Sequence, residues 1–182
     1  MKAEKVYTEY LLMKTQSGED VMDELVVILS RKIKAYSHKI LGQHEAVEDC
    51  AQEALLKILN NLQRIKSIKA MHAWMYKVTH TVCLDHLRKY RDKQPNKATD
   101  DATDEAVDEA VTQAPTADAV LDVKAAMAQL SQLHRAIIYL FYYEGFTVKE
   151  ITQVLNKPAG TVKYELFRAR DLIKSFLSQE PK

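Results

Sequence analysis

The chain of 182 residues carries 26 basic and 25 acidic side chains, for a formal net charge of +1. That length accommodates one ordinary domain or two small ones. Cys50 and Cys83 are too few for a disulfide framework and fit a reduced, cytoplasmic protein. The opening MKAEKVYTEY has no apolar signal core, and no apolar run approaches the ~20 residues of a membrane span. Secretion and membrane insertion are therefore not expected.

Low Gly and Pro with abundant Ala, Leu, Lys and Glu predict an all-α protein. Its charge is unevenly spread. Residues 1–95 hold 16 basic and 12 acidic groups, residues 96–122 one basic and eight acidic, and residues 123–182 nine basic and five acidic. Two positive blocks thus flank a negative connector. The connector has no aromatic residue and few large apolar ones, so it reads as an extended, flexible acidic linker. The expected organisation is two small helical domains, 1–95 and 123–182, joined by the linker 96–122. Domains this small have thin cores, so docking to a partner matters for them.

In chain order, a first helix is predicted from near Val6 to Thr15, stopping at Ser17-Gly18. A second spans about Glu19 to Leu41, with Leu25, Ile28, Leu29 and Ile33 at helical spacing and Gly42 as its stop. A third spans about Glu45 to Leu62, with Val47, Ala51, Ala54, Leu55, Ile58 and Leu62 as its apolar stripe. Asp49, Gln52, Glu53 and Lys57 lie off that stripe. A basic loop, Gln63–Lys69, leads to a fourth helix from about Ala70 to Tyr90.

On a wheel with Lys77 at zero, Thr81, Arg88 and Arg91 fall within about 40° of it, whereas Met71, Met75, Val78 and Val82 gather between about 100° and 160°. One face is apolar and the other basic, and the preceding loop adds Arg64, Lys66 and Lys69. Trp74, Tyr76 and Tyr90 are interleaved. Basic groups beside aromatics suit single-stranded nucleic acid. The competing reading is that Trp74 and Tyr76 belong to the core, and for Trp74, on the rim of the apolar arc, core packing is favoured.

Two helices, Leu121–Leu130 and Leu133–Tyr143, open the last block. In GFTVKEITQVLNKPAGTVKYELFRAR, Thr147 and Glu150 form a capping box, and Ile151, Val154 and Leu155 supply an apolar face. Asn156 suits a left-handed helix stop and Pro158 the start of the next helix. Two short helices so joined predict a helix-turn-helix. Val162, Leu166, Ala169, Ile173 and Phe176 are expected to face inward. Gly160, Thr161, Lys163, Tyr164, Phe167 and Arg168 are candidates for the major groove.

These residues carry a resemblance. EDCAQEALLKILNNLQRIKSIKAMHAWMYKVTHTVCLDHLRKYRDK resembles region 2 of the extracytoplasmic-function (ECF) sigma factors of bacterial RNA polymerase, and LSQLHRAIIYLFYYEGFTVKEITQVLNKPAGTVKYELFRARDLI resembles their region 4. LLMKTQSGEDVMDELVVI resembles the family's opening helices. The resemblance covers nearly the whole chain except the linker, and no extra domain is expected on either side.

The resemblance implies a specificity subunit with no catalytic residues and no cofactor. Its partners would be core RNA polymerase, promoter DNA and an anti-sigma factor. Asp49, Gln52, Glu53 and Leu56 would dock on the polymerase clamp. Arg64, Lys66, Trp74, Lys77, Thr81 and Arg88 would open the minus-ten element. Thr161, Lys163, Tyr164, Phe167 and Arg168 would read the minus-thirty-five element. The linker would thread toward the RNA exit path. Thr81 stands where the family usually has Asn, so one hydroxyl replaces an amide and readout there is less discriminating. Leu130-Ser131 replaces a usual Leu-Pro, and Glu165 would repel phosphate if it faced DNA.

Two other readings remain open at this stage. One is a stand-alone helix-turn-helix regulator with an N-terminal sensor domain, although no residues mark a ligand pocket. The other is a metal site at His80, Cys83 and His86, which recur every three residues but spread round the helix. No nucleotide-binding loop or hydrolase motif is present.

Overall fold

The computed structural model describes residues 2–42, 45–65, 67–93 and 125–178, and every regular element among them is helical. The acidic linker and Leu121 lie outside the described residues. In order come α1 (Lys2–Gln16), α2 (Met22–Leu41), α3 (Val47–Leu59), a 3₁₀ turn (Leu62–Arg64) and α4 (Ile68–Lys93). After the linker, a helical turn over 125–128 precedes α5 (Gln132–Ile138), which widens into a π turn (Tyr139–Tyr143); α6 (Val148–Leu155) and α7 (Ala159–Ser178) follow.

Local chemistry explains most boundaries. Helix α2 ends at Gly42, whose φ of 66° is a conformation that disfavours any side chain. The π turn ends at Gly145, at φ 69°, where the Phe146 N–H donates to the Leu140 carbonyl. Helix α3 stops at Leu59, earlier than periodicity implies; Leu62 stays buried but belongs to the 3₁₀ turn. The predicted basic loop is shorter than expected, because α4 already begins at Ile68. At α5, Ser131 is the N-cap, its hydroxyl accepting from the His134 N–H at 3.3 Å. The Ser found where a proline is usual therefore supplies a cap.

Helices α1 to α4 share a core of Leu11, Leu12, Leu25, Leu29, Ile33, Ala54, Ile58, Met71 and Met75. The predicted stripes of α2 and α3 face it, with Ile28 and Leu55 at its edge. Helix α4 differs from expectation. Besides Met71, Met75 and Val82, it buries a second arc of His72, Tyr76, Thr79, His80 and Cys83. The wheel showed one apolar arc because the second is mixed in polarity.

The second arc is covered partly by α2 and partly by the C-terminal half, which packs α5 on α2 and α6 on α4. Tyr139 reaches Tyr36 (ring centroids 5.6 Å) and Tyr76 (6.4 Å), and Phe146 meets Tyr76 edge-on at 5.4 Å. The Lys32 ammonium pairs with Glu144 at 3.2 Å, the two side chains only 9% and 12% exposed. Arg135 Nε–H donates to the Lys39 carbonyl at 3.1 Å. Lys5 pairs with Glu150 at 3.9 Å and lies over the Phe146 ring. The two thin cores thus thicken each other, as small modules require.

Two predictions follow from local energetics. The capping box is complete: Thr147 Oγ1 accepts from the Glu150 N–H, and Glu150 Oε2 accepts from the Thr147 N–H at 2.8 Å. Thr147→Ala should lower stability by about 1 kcal/mol, seen as a reduced urea midpoint. The second concerns acid. Burial first, and then Lys5, holds His72 down at about 4; burial and then Lys157 do the same for His80, against 6.5 in the open chain. Between those values the unfolded chain binds more protons, so stability rises with pH there and falls on acidification. Glu53, held at about 2 by Lys57 and then His86, adds loss in the same direction below about 4.5. The urea midpoint should drop between pH 7 and pH 5, and less steeply in His72→Gln.

Candidate polymerase and nucleic-acid interfaces

Three exposed faces collect the residues singled out from the sequence. On α3, Asp49 and Gln52 are exposed and Leu56 is 62% exposed. Glu53 is half-buried and tied sideways, accepting from Lys57 at 2.6 Å and sharing a hydrogen bond with His86 at 2.8 Å. It therefore also ties α3 to α4.

The second face is the strip of α4 left uncovered by its neighbours. Lys77, Thr81 and Arg88 are all exposed on it, and Arg64 is exposed on the 3₁₀ turn before the helix. Thr81 Oγ1 donates to the Lys77 carbonyl at 2.9 Å. Its hydroxyl proton is thus spent on the helix, which leaves acceptor capacity outward. Arg88 lies 3.4 Å from Asp85, a weak exposed pair. Trp74 is half-buried against the core, as its wheel position implies. Lys66 lies outside the described residues, as do the side chains of Lys69 and Arg91.

The structure decides between the two readings of Tyr76. Tyr76 is buried, with its ring against Tyr36 and Phe146, so it is closed to an unstacked base and does not join Trp74 and Tyr90 in a stacking set. Core burial, the competing reading of Tyr76, is the one the structure takes, and it depends on partners as distant in the chain as Tyr36 and Phe146.

The third face belongs to α7. Asn156 adopts the left-handed conformation (φ 52°) and α7 begins at Ala159, so α6 and α7 form the predicted helix-turn-helix. Val162, Leu166 and Ala169 are buried, while Ile173 and Phe176 are half-buried. Lys163 and Arg168 are exposed, Tyr164 is 59% and Phe167 64% exposed, and Thr161 is half-buried at the start of the helix. Arg170 is turned away, its guanidinium about 5.3 Å above the Phe141 ring and 5.4 Å above that of Tyr142.

Glu165 resolves differently from the concern its charge raises. Its carboxylate shares a 2.8 Å hydrogen bond with His134 Nε2 on α5. The charge is directed into the domain and fastens the recognition helix to α5, a bond that sequence separation concealed.

The three residues weighed as a metal site diverge. His80 Nδ1 bonds Tyr36 Oη at 3.2 Å, Cys83 Sγ–H donates to Ser37 Oγ at 3.6 Å, and His86 faces Glu53. Burial raises the Cys83 thiol and pushes Cys50 up to about 12, so both stay protonated and are poor metal ligands. Among the described residues no group of three ligating side chains converges.

The fold and the α6–α7 unit define an all-α helix-turn-helix protein. Residues 25–93 match the Sigma-70 region 2 family model and residues 121–173 the Sigma-70, region 4 model. The ECF RNA polymerase sigma factor SigL of Mycobacterium tuberculosis (strain H37Rv) is 30% identical over 148 residues, which span 81% of each chain. SigW of Bacillus subtilis, also an ECF RNA polymerase sigma factor, is 27% identical over 174 residues, 89% of this chain and 91% of that protein. The sigma factor RpoE of Bartonella quintana, solved in complex with the anti-sigma factor NepR, has a similar fold: the TM-score is 0.70 at 20% identity, over 88% of this chain and 98% of that one. The chain belongs to the ECF sigma factors of the sigma-70 family.

The Glu165–His134 bond makes a discriminating prediction. Were Glu165 aimed at DNA, Glu165→Ala would tighten binding to an upstream-element duplex. Directed inward, its loss should lower thermal stability and leave that affinity unchanged or weaker, as read by melting and by fluorescence anisotropy.

Proposed function

We propose that this chain is the promoter-specificity subunit of an RNA polymerase, binding core enzyme and selecting start sites while contributing no catalytic residue of its own. The observation that carries this reading is the presence of two separately exposed basic faces, on α4 and α7, in a chain that matches sigma regions 2 and 4 in order. Family membership favours it over a stand-alone regulator. We assign residues 1–95 to core binding and the minus-ten element, 96–122 to the linker, and 123–182 to the minus-thirty-five element.

On this reading Asp49, Gln52, Glu53 and Leu56 dock on the polymerase. Arg64, Lys66, Lys77, Thr81 and Arg88 hold the opened strand, with Trp74 at the edge of that strip. Lys77 and Arg88 meet phosphates, and the Thr81 oxygen accepts from a base. Thr161, Lys163, Tyr164, Phe167 and Arg168 enter the major groove, where Arg168 or Lys163 meets a guanine edge and the rings touch thymine methyls. An anti-sigma factor is the proposed inhibitory partner, since RpoE was solved with one. The proposed location is the cytoplasm; no described helix is long and apolar enough to cross a membrane.

The near-zero net charge bears on mechanism. Phosphate attraction scales with the cations brought to the backbone. A nearly neutral chain gains little from it overall, so selective binding depends on core enzyme presenting the basic faces.

In vitro transcription with core polymerase on a genomic library should yield discrete start sites that share two upstream elements. Random starts, or none above core alone, would overturn the reading. Arg168→Ala should cost about 1–3 kcal/mol at one position of the upstream element. Lys77→Ala should weaken binding on all sequences alike and reduce the salt slope by about one.

A further inference from the structure

Helix α1 is apolar on both of its sides. Leu11 and Leu12 point into the core and are buried. The opposite side faces solvent and carries Val6, Tyr7, Tyr10 and Met13, each between 41% and 63% exposed. With Val6 at zero on a helical wheel, Ala3, Tyr10 and Met13 fall within about 60° of it and Tyr7 at about 100°. No carboxylate falls in that arc. Its one amine, Lys14, is turned onto Glu19 at 2.7 Å and lies over the Tyr10 ring at 5.5 Å. An outer helix of a domain ordinarily shows a polar face to water, and one that is apolar all round is ordinarily covered on all sides.

The stripe continues onto α2. Tyr7 Oη donates to Glu24 at 2.6 Å, and Arg31 pairs with Glu4. Val27, 68% exposed, lies on α2 between these two ties. The Tyr7 and Tyr10 rings stack with centroids 6.2 Å apart. The exposed apolar groups are therefore contiguous, and contiguity is what separates an interaction surface from ordinary scattered exposure. Tyrosine and methionine are also the residues that interfaces favour.

The surrounding charge selects the occupant. Lys14 is paired with Glu19 and Arg31 with Glu4. Asp20, Asp23 and Glu24 are exposed, and among the described residues none of the three enters an ion pair. The uncompensated charge beside the stripe is thus negative. It repels nucleic acid and the chain's own acidic linker. A second copy would present the same patch, whose described cations are already paired.

We infer that the exposed stripe of Val6, Tyr7, Tyr10 and Met13, extended by Val27, is a docking surface for a cationic amphipathic helix of a partner protein. Apolar residues spaced at three and four along that helix lie on the stripe, and its Lys or Arg side chains meet Asp20, Asp23 and Glu24. The surface is separate from the faces assigned to polymerase and DNA on α3, α4 and α7, so it stands or falls apart from the proposed function.

The probe is a fluorescein-labelled leucine–lysine peptide of about 18 residues, patterned as an amphipathic helix, titrated with the full-length chain and read by anisotropy. It should bind roughly tenfold tighter than a leucine–glutamate peptide of the same pattern. Val6→Ser combined with Met13→Ser should weaken binding by about fivefold or more, and so should Asp20→Asn combined with Asp23→Asn. All four side chains are exposed, so circular dichroism should show unchanged helix content. The inference requires both losses. Loss in the charge variant alone makes the attraction merely ionic, and loss in the apolar variant alone removes the cationic partner. Loss in neither puts the peptide elsewhere, on the linker for example, which both variants retain. Equal affinity for the leucine–glutamate peptide, or a dimer in sedimentation equilibrium that Val6→Ser with Met13→Ser dissociates, also overturns it.

Discussion

Burial of α4 around most of its circumference is the constraint from which the remaining architecture follows. A helix that presents Met71, Met75 and Val82 to one neighbour and Tyr76, Thr79, His80 and Cys83 to others leaves a narrow strip for solvent. Lys77, Thr81 and Arg88 occupy that strip. Their clustering is thus enforced from behind, because the other directions are filled by α1, α2, α3 or α6. A rigidly held strip keeps the spacing of its charges, which is what pre-organised binding requires.

The C-terminal half uses the same logic on a smaller scale. Val162, Leu166 and Ala169 seat α7, and Glu165 pins it to His134. The exposed residues between these anchors then fall on one outward face. Thr147, Glu150 and Asn156 set where α6 begins and ends, and hence the angle at which α7 leaves it. Stability and recognition are coupled here, since the groups that hold the helix are interleaved with those proposed to read DNA.

Periodicity made the separate helices legible. The stripes of α2, α3 and α7, the capping box, the glycine stop at Gly42 and the left-handed Asn156 are all local patterns, and the structure contains them. Boundaries at Leu59 and Ile68 moved because short turns compete with helix ends over single hydrogen bonds. The resemblance to sigma regions 2 and 4 likewise rested on contiguous motifs, and the matching of both regions bears it out.

The sequence by itself determined which residues are helical, where charge accumulates and which face of each helix is apolar, because those properties depend on neighbours within about two turns. Only the tertiary structure decided that Tyr76 is closed to solvent, that Glu165 turns inward to His134 and that Lys32 finds Glu144 of the C-terminal half. Each of those outcomes depends on a partner tens of residues away, and the direction of a polar or aromatic side chain is settled by what lies opposite it rather than by its own position in a repeat.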